Sequence, residues 1–195
     1  MEDFVTSFEG APLAKPNDLA FDSAGNLIFT CPGNSVSEPE GYVCCLRPDR
    51  KVRSVADGLY FPNGLLFADG DSRLIVAETH RQRLWSGTWE PGTCRWSAPQ
   101  PWADLEYSVG PDGMALAEDG RVVAAHFGQG RLVVVAPDGS TVAEVRLPGN
   151  RPTNCAFDPT GRLGLVVTEA EKGLLLSIPG FGPGAPLFTG SEQWP

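Results

Sequence analysis

"GPDGMALAEDGRVVAAH", residues 110–126, decides the fold. It reads as a short apolar strand, a turn around Asp119 and Gly120, and a second strand carrying the β-branched Val122 and Val123. Three other stretches repeat the design: "KPNDLAFDSAGNLIFTC" (15–31), "FPNGLLFADGDSRLIVAE" (61–78) and "RPTNCAFDPTGRLGLVVTE" (151–169). Their prolines, Pro16, Pro62, Pro111 and Pro152, recur at steps of 46, 49 and 41 residues. That period belongs to propeller blades and to some helical repeats, and the strand–turn–strand interior of each unit excludes helices. A second hairpin follows the first, as in "GYVCCLRPDRKVRSVAD" (41–57) and "GRLVVVAPDGSTVAEVRL" (130–147). Four antiparallel strands per unit make a blade.

The expected fold class is therefore all-β: a β-propeller of four blades, at about 11–57, 58–105, 106–148 and 149–190. Residues 1–10, with "FVTSF", read as the leftover outer strand of a preceding blade. The blades are expected to form an open arc, incomplete as a propeller, whose two uncovered faces favour self-association.

Glycine and proline together make about a fifth of the 195 residues, yet 42% are hydrophobic, the balance of a folded, turn-rich chain. A net charge of −9 and no run of Lys or Arg argue against nucleic acid and membrane surfaces as partners. No stretch reaches the roughly 18 apolar residues of a membrane span, and "MEDFVTSFEG" has no signal-peptide core, so the expected location is cytoplasmic. Five cysteines without a zinc-like spacing read as reduced, buried thiols; Cys44 and Cys45 would face opposite sides of a strand.

The tripeptide Pro-Asp-Gly occurs twice, at 111–113 and 137–139. Asp138 falls at a hairpin tip, where a turn is all that is needed. Asp112 falls at the entrance of a first strand, aligned with Asn17, Asn63 and Thr153. Equivalent entrances converge on one mouth of the channel, and their oxygen-bearing side chains suit a hard cation. The second strands return to the same mouth at Cys31, Glu78, His126 and Glu169, which could support the ligands or face substrate. Each entrance can equally be blade architecture, its side chain capping the incoming loop. His80 and His126 lie in different repeats and make no evident catalytic pair.

Together, "PNDLAFDSAGNLIFT", "FPNGLLF", "GPDGMALAEDGRVVAA" and "RPTNCAFDPTGRLGLVVTEA" resemble the family of senescence marker protein (regucalcin), gluconolactonase and luciferin-regenerating enzyme. The resemblance runs from about Glu9 onward. It implies a six-bladed propeller holding one divalent cation, calcium first and zinc, manganese or magnesium as alternatives, and hydrolysing a lactone or sugar lactone. By position it implies Asn63, Asp112 and Asn17 as metal ligands, Lys15 and Asn17 as substrate-binding residues, and Asp112 as the catalytic acid/base. The family also takes a Glu ligand from an opening blade that is absent here. Glu9 in "FEGAP" stands only eight residues before Asn17 and reads as a strand-to-loop residue; Cys31 stands where many members carry Asp. The resemblance thus covers about two thirds of a family member, and two readings remain: a lactone hydrolase, truncated and weakly active or inactive, or a non-catalytic metal- or ligand-binding propeller.

Overall fold

The computed structural model describes residues 3–106, 108–190 and 194. A two-residue hairpin, β1 (Ser7–Phe8) with β2 (Ala11–Pro12), precedes the blades. The first blade is β3 (Leu19–Phe21), β4 (Leu27–Cys31), β5 (Gly41–Leu46) and β6 (Val52–Leu59). The second is β7 (Pro62–Ala68), β8 (Arg73–Glu78), β9 (Arg83–Glu90) and β10 (Arg95–Asp104), and the third is β11 (Gly110–Leu116), β12 (Val122–Phe127), β13 (Arg131–Val135) and β14 (Thr141–Arg146). The fourth has three strands, β15 (Pro152–Phe157), β16 (Leu165–Glu169) and β17 (Leu174–Ile178). All pairings are antiparallel, and a 3-10 turn at Thr79–Arg81 is the one helical segment among the described residues.

The four-bladed, all-β reading is therefore correct, with one correction. Among the described residues the fourth blade lacks the outer strand expected to end near "APLFTG". The chain there is "PGFGPGAP", and Pro supplies no ladder N–H while Gly weakens a strand interior. Instead it leaves the blade. Glu118 N donates to Pro183 O (3.0 Å), Ala185 N donates to Leu116 O (2.9 Å), Gly184 packs on Phe157, and Gly190 lies against Phe21 of the first blade. Trp194 Nε1 donates to Gly25 O (2.7 Å). The tail thus crosses the end of the arc opposite the strand entrances.

Inner strands pack in chain order, β3 on β7, β7 on β11 and β11 on β15; among the described residues no strand of the fourth blade packs comparably on the first. The arc is open. Three apolar layers fill the spaces between consecutive blades. Ile28, Val43 and Cys45 meet Leu65, Leu74 and Val76; Leu66, Ile75 and Ala77 meet Met114, Val122 and Val133; Val123, Ala125, Leu132 and Val134 meet Cys155, Leu165 and Val167. Second strands are covered on both faces, which is why "LIVA" and "VVAA" run apolar without alternation. Cys44 and Cys45 do face opposite sides, and all five cysteines are free and buried. The far side of the first blade is covered after all: Val5, Phe8, Leu13 and Trp194 pack on Phe29, Cys31, Cys44 and Leu46. On the fourth blade, Leu174 and Leu175 stay exposed.

Leu132 is fully buried where the third and fourth blades meet. Leu132→Ala is expected to cost about 2–5 kcal/mol through lost transfer energy and a residual cavity. Urea unfolding checks this; an unchanged midpoint would mean that the fourth blade is not packed on the third.

Candidate functional site

Pro62 opposes Glu78, Pro111 opposes His126 and Pro152 opposes Glu169 at the mouth end of three blades. Immediately after each proline the register slips: Leu65 opposes Val76, Met114 opposes Ala124, and Asn154 opposes Thr168. One extra residue is therefore accommodated at each entrance, a β-bulge that re-aims the side chains of Asn63, Asp112 and Thr153. The residue before three of the prolines is left-handed, with φ of 60° at Lys15, 60° at Phe61 and 136° at Gly110. A residue preceding proline ordinarily sits in the β or polyproline region. Strained backbone of this kind concentrates at functional sites. At Phe61 it is held by Thr79 N donating to Phe61 O (3.1 Å) and His80 N donating to Tyr60 O (3.2 Å).

The strand entrances bring three of the sequence-selected residues together. Asn17 Nδ2 donates to Asn63 Oδ1 (2.7 Å), and Asn63 is hydrogen bonded in turn to the Asp112 carboxylate. Asn63 Nδ2 also donates to Thr79 Oγ1 (3.2 Å), whose hydroxyl donates to Pro111 O (2.7 Å). Asn63 is buried, Asp112 half-buried and Asn17 exposed, so the cluster opens to solvent on the first blade's side. Lys15, also exposed, lies two residues before Asn17. Thr153 bonds within its own blade, Oγ1 to Thr168 Oγ1 at 2.7 Å.

Glycine explains how the strands come so close. A Cβ on Gly64 would run into the Asp112 carbonyl, and one on Gly113 into the Asn154 carboxamide. The glycines of Pro-Asn-Gly and Pro-Asp-Gly-Met are there for close approach of neighbouring inner strands. Gly139 of the second Pro-Asp-Gly is left-handed (φ 91°) in the β13–β14 turn, where Asp138 Oδ1 accepts Ser140 N (2.9 Å), and its close neighbour is the Trp102 carbonyl of an outer strand, not an inner strand.

Burial pushes the Asp112 carboxyl up to about 7, and the charge of Asp18 pushes the same way, against hydrogen bonds from Asn63 and the Gly113 N–H. Asp18, which sequence reasoning passed over, is itself raised by burial; its Oδ1 accepts Leu19 N (2.9 Å) and its Oδ2 accepts Leu65 N of the next blade (3.0 Å). The available signal was its place: Asp18 occupies the position taken by Gly64 and Gly113 in the next two repeats. None of the ion pairs among the described residues includes Asp18 or Asp112.

The other four residues serve the incoming loops. Glu78 Oε1 accepts Tyr60 N (2.8 Å) and its Oε2 accepts Arg83 Nε (2.8 Å) and Trp85 Nε1 (2.7 Å). Glu169 accepts the N–H groups of Arg151, Glu171 and Lys172 at 2.8–3.0 Å; desolvation opposes its ionisation, but these donors hold it below the usual carboxylate range. His126 is fully buried; Nε2 donates to Leu105 O (2.8 Å), and burial holds its pKa down. Cys31, raised by burial, bonds to the Tyr42 hydroxyl, which accepts Ala14 N (3.0 Å). At one repeat position, four different side chains tie down the loop entering the inner strand. Glu9 lies exposed in the β1–β2 turn, with φ 50°.

Among the described residues no group of three or more His, Cys, Asp or Glu is placed to hold a metal. The donor set offered by Asn17, Asn63 and Asp112 is two carboxamides and a carboxylate, each with an oxygen to offer, and among the described residues the half-buried carboxylate has no ion-pair partner. Such a set fits a hard divalent cation better than a soft one.

The chain is similar to known proteins in sequence and in fold. Diisopropyl-fluorophosphatase of Loligo vulgaris is 32% identical over 180 residues, which are 84% of this chain and 57% of that protein. Lactonase drp35 of Staphylococcus aureus is 28% identical over 188 residues, covering 88% and 57%. A solved calcium-binding protein, regucalcin from Agrobacterium tumefaciens, superposes with a TM-score of 0.76 at 21% identity, covering 89% of this chain and 64% of that one. The chain thus spans less than two thirds of the length of each of these relatives. The family described as SMP-30/Gluconolactonase/LRE-like region matches residues 1–171. By that match, which takes in all four inner strands, the chain belongs to the SMP-30/gluconolactonase/LRE-like family.

Proposed function

We propose that the Asn17–Asn63–Asp112 cluster is the centre of a cation-dependent lactone hydrolase. The supporting observation is Asp112, a half-buried carboxylate raised by burial and by the charge of Asp18, neither of them in an ion pair among the described residues. Asn17, Asn63 and Asp112 would hold a divalent cation, calcium first, which when bound polarises the lactone carbonyl. Asp112 would accept the proton of the attacking water and return it to the departing alkoxide, its carboxylate kept ionised by the bound cation. Lys15, exposed two residues before Asn17, would meet the polar substituents of a sugar lactone. Lactonase drp35 supports this reading by its name. A second reading, hydrolysis of a fluorophosphate, is favoured by the 32% identity to diisopropyl-fluorophosphatase. Assays of gluconolactone, aliphatic lactones and diisopropyl fluorophosphate with calcium, magnesium, manganese or zinc separate the two. Calcium binding without turnover of any of them would leave a binding propeller and overturn both.

The metal-free protein should record Asp112 in its pH dependence. An acid raised in the folded state to about 7 binds more protons folded than unfolded between about pH 4 and 7. Its ionisation therefore destabilises: stability is highest at the acid end of that window and is lost as pH rises through 7. After allowance for partial exposure the loss is roughly 2 kcal/mol. Chelator-treated wild type and Asp112→Asn, unfolded in urea at pH 5 and pH 8, give the measurement. The wild type should lose about that much relative to the variant; equal pH slopes would deny the raised pKa.

A further inference from the structure

The first two blades are joined far from the mouth as well. The turn between β9 and β10 reaches back over the first blade, where Asn26 Nδ2 donates to Pro91 O (2.9 Å) and the Arg47 guanidinium donates to Gly92 O (3.2 Å). Cys94 ends that turn, buried and left-handed with φ 52°. Cys45 comes from β5 of the first blade, fully buried in the same apolar layer, among Ile28, Trp89 and Trp96. The two thiols are hydrogen bonded to each other across the blade boundary, and Arg47 Nη1 stands 4.0 Å from Cys94 Sγ.

We propose that Cys45 and Cys94 are a redox-responsive thiol pair that closes a disulfide between the first and second blades. The two cysteines have different parts. The Cys45 hydrogen bond holds the Cys94 thiol below its ordinary pKa, helped by Arg47 and Arg53 against desolvation and Asp22. Cys45 is pushed up by the same hydrogen bond and by burial. Cys94, beside the Arg47 guanidinium at the end of a turn whose Gly92 and Thr93 are exposed, is the attacking thiolate, and the fully buried Cys45 the resolving thiol. With glutathione disulfide as oxidant, Cys94 Sγ attacks one glutathione sulfur, forming a mixed disulfide and releasing a glutathione thiolate. Cys45 gives its proton to that thiolate or to solvent and attacks Cys94 Sγ, releasing the second glutathione. Two protein thiols lose two electrons and two protons, and one glutathione disulfide becomes two glutathiones. Cys44 points to the other face of the same strand and has no such partner across the boundary.

The experiment incubates the folded chain with glutathione disulfide, alkylates the remaining thiols and digests it with trypsin. The expected product joins the peptide ending at Arg50, since trypsin does not cut between Arg47 and Pro48, to the one ending at Arg95. It should persist in Cys44→Ser and vanish in Cys45→Ser and Cys94→Ser. Oxidation should raise the Tm of the wild type by on the order of 5–10 °C, because the cross-link closes a long loop, and should not raise that of Cys94→Ser. A stable glutathione adduct at Cys94, a bond between Cys31 and Cys44, or no bond in a folded protein would each overturn the pair. None of these readouts depends on hydrolysis.

Discussion

Asp112→Asn is expected to abolish the calcium-induced rise in Tm and to lower lactone hydrolysis about 10³-fold while leaving the metal-free protein folded. Asn keeps the shape of the side chain and its hydrogen bond to Asn63, but removes the charge proposed to attract a cation and the base proposed to take the water's proton. Asp138→Asn is the matched control. Asp138 lies exposed in a hairpin turn, held below its ordinary pKa by Ser140, first through its hydroxyl and then through its N–H, and Asn serves such turns equally well. Calcium at about a hundred times its dissociation constant stabilises a native state by about 2.7 kcal/mol, enough to read by scanning calorimetry. Equal calcium shifts in wild type and both variants would return Asp112 to architecture. No shift in wild type would remove the cation from the proposed function.

Gly64→Ala should be as damaging by another route. The new methyl would strike the Asp112 carbonyl and come within 3.0 Å of Gly113 Cα and 3.2 Å of Met114 N. All three neighbours are backbone, so no side-chain rotation relieves the clash and the second and third blades must separate. The expected cost is about 3 kcal/mol, with hydrolysis falling in parallel because Asn63 and Asp112 move apart. Gly92→Ala, whose new methyl would meet nothing within 4 Å, should stay within about 0.5 kcal/mol of wild type. Urea midpoints of the three proteins decide it. Loss of stability in Gly64→Ala with unchanged turnover would show that the blade contact and the site are independent.

By itself the sequence determined the repeat and everything that depends on position within a repeat. Pro16, Pro62, Pro111 and Pro152 mark four inner strands, so Asn17, Asn63 and Asp112 had to stand at equivalent points around one axis. Their meeting follows from the period because a propeller maps repeat position onto radius. The two Pro-Asp-Gly tripeptides separated in the same way: one opens an inner strand, the other tips a hairpin. Cys31, Glu78, His126 and Glu169 were correctly aligned, but their partners were not legible. Each turned to a backbone group of its own blade's incoming loop, a choice set by local loop geometry and not by spacing. Contacts between blades were decided only by the tertiary structure. Burial between blades raises Asp112, and Asp18 adds to it from a repeat almost a hundred residues away in the chain; Gly64 and Gly113 are required by strands that pack on them, and Cys45 meets Cys94 across a boundary. The three-stranded fourth blade and the tail that crosses to Phe21 belong with them. The physical reason is common to all. Periodicity reports which face of a strand is buried, whereas an interblade distance depends on the packing of residues that share no local pattern.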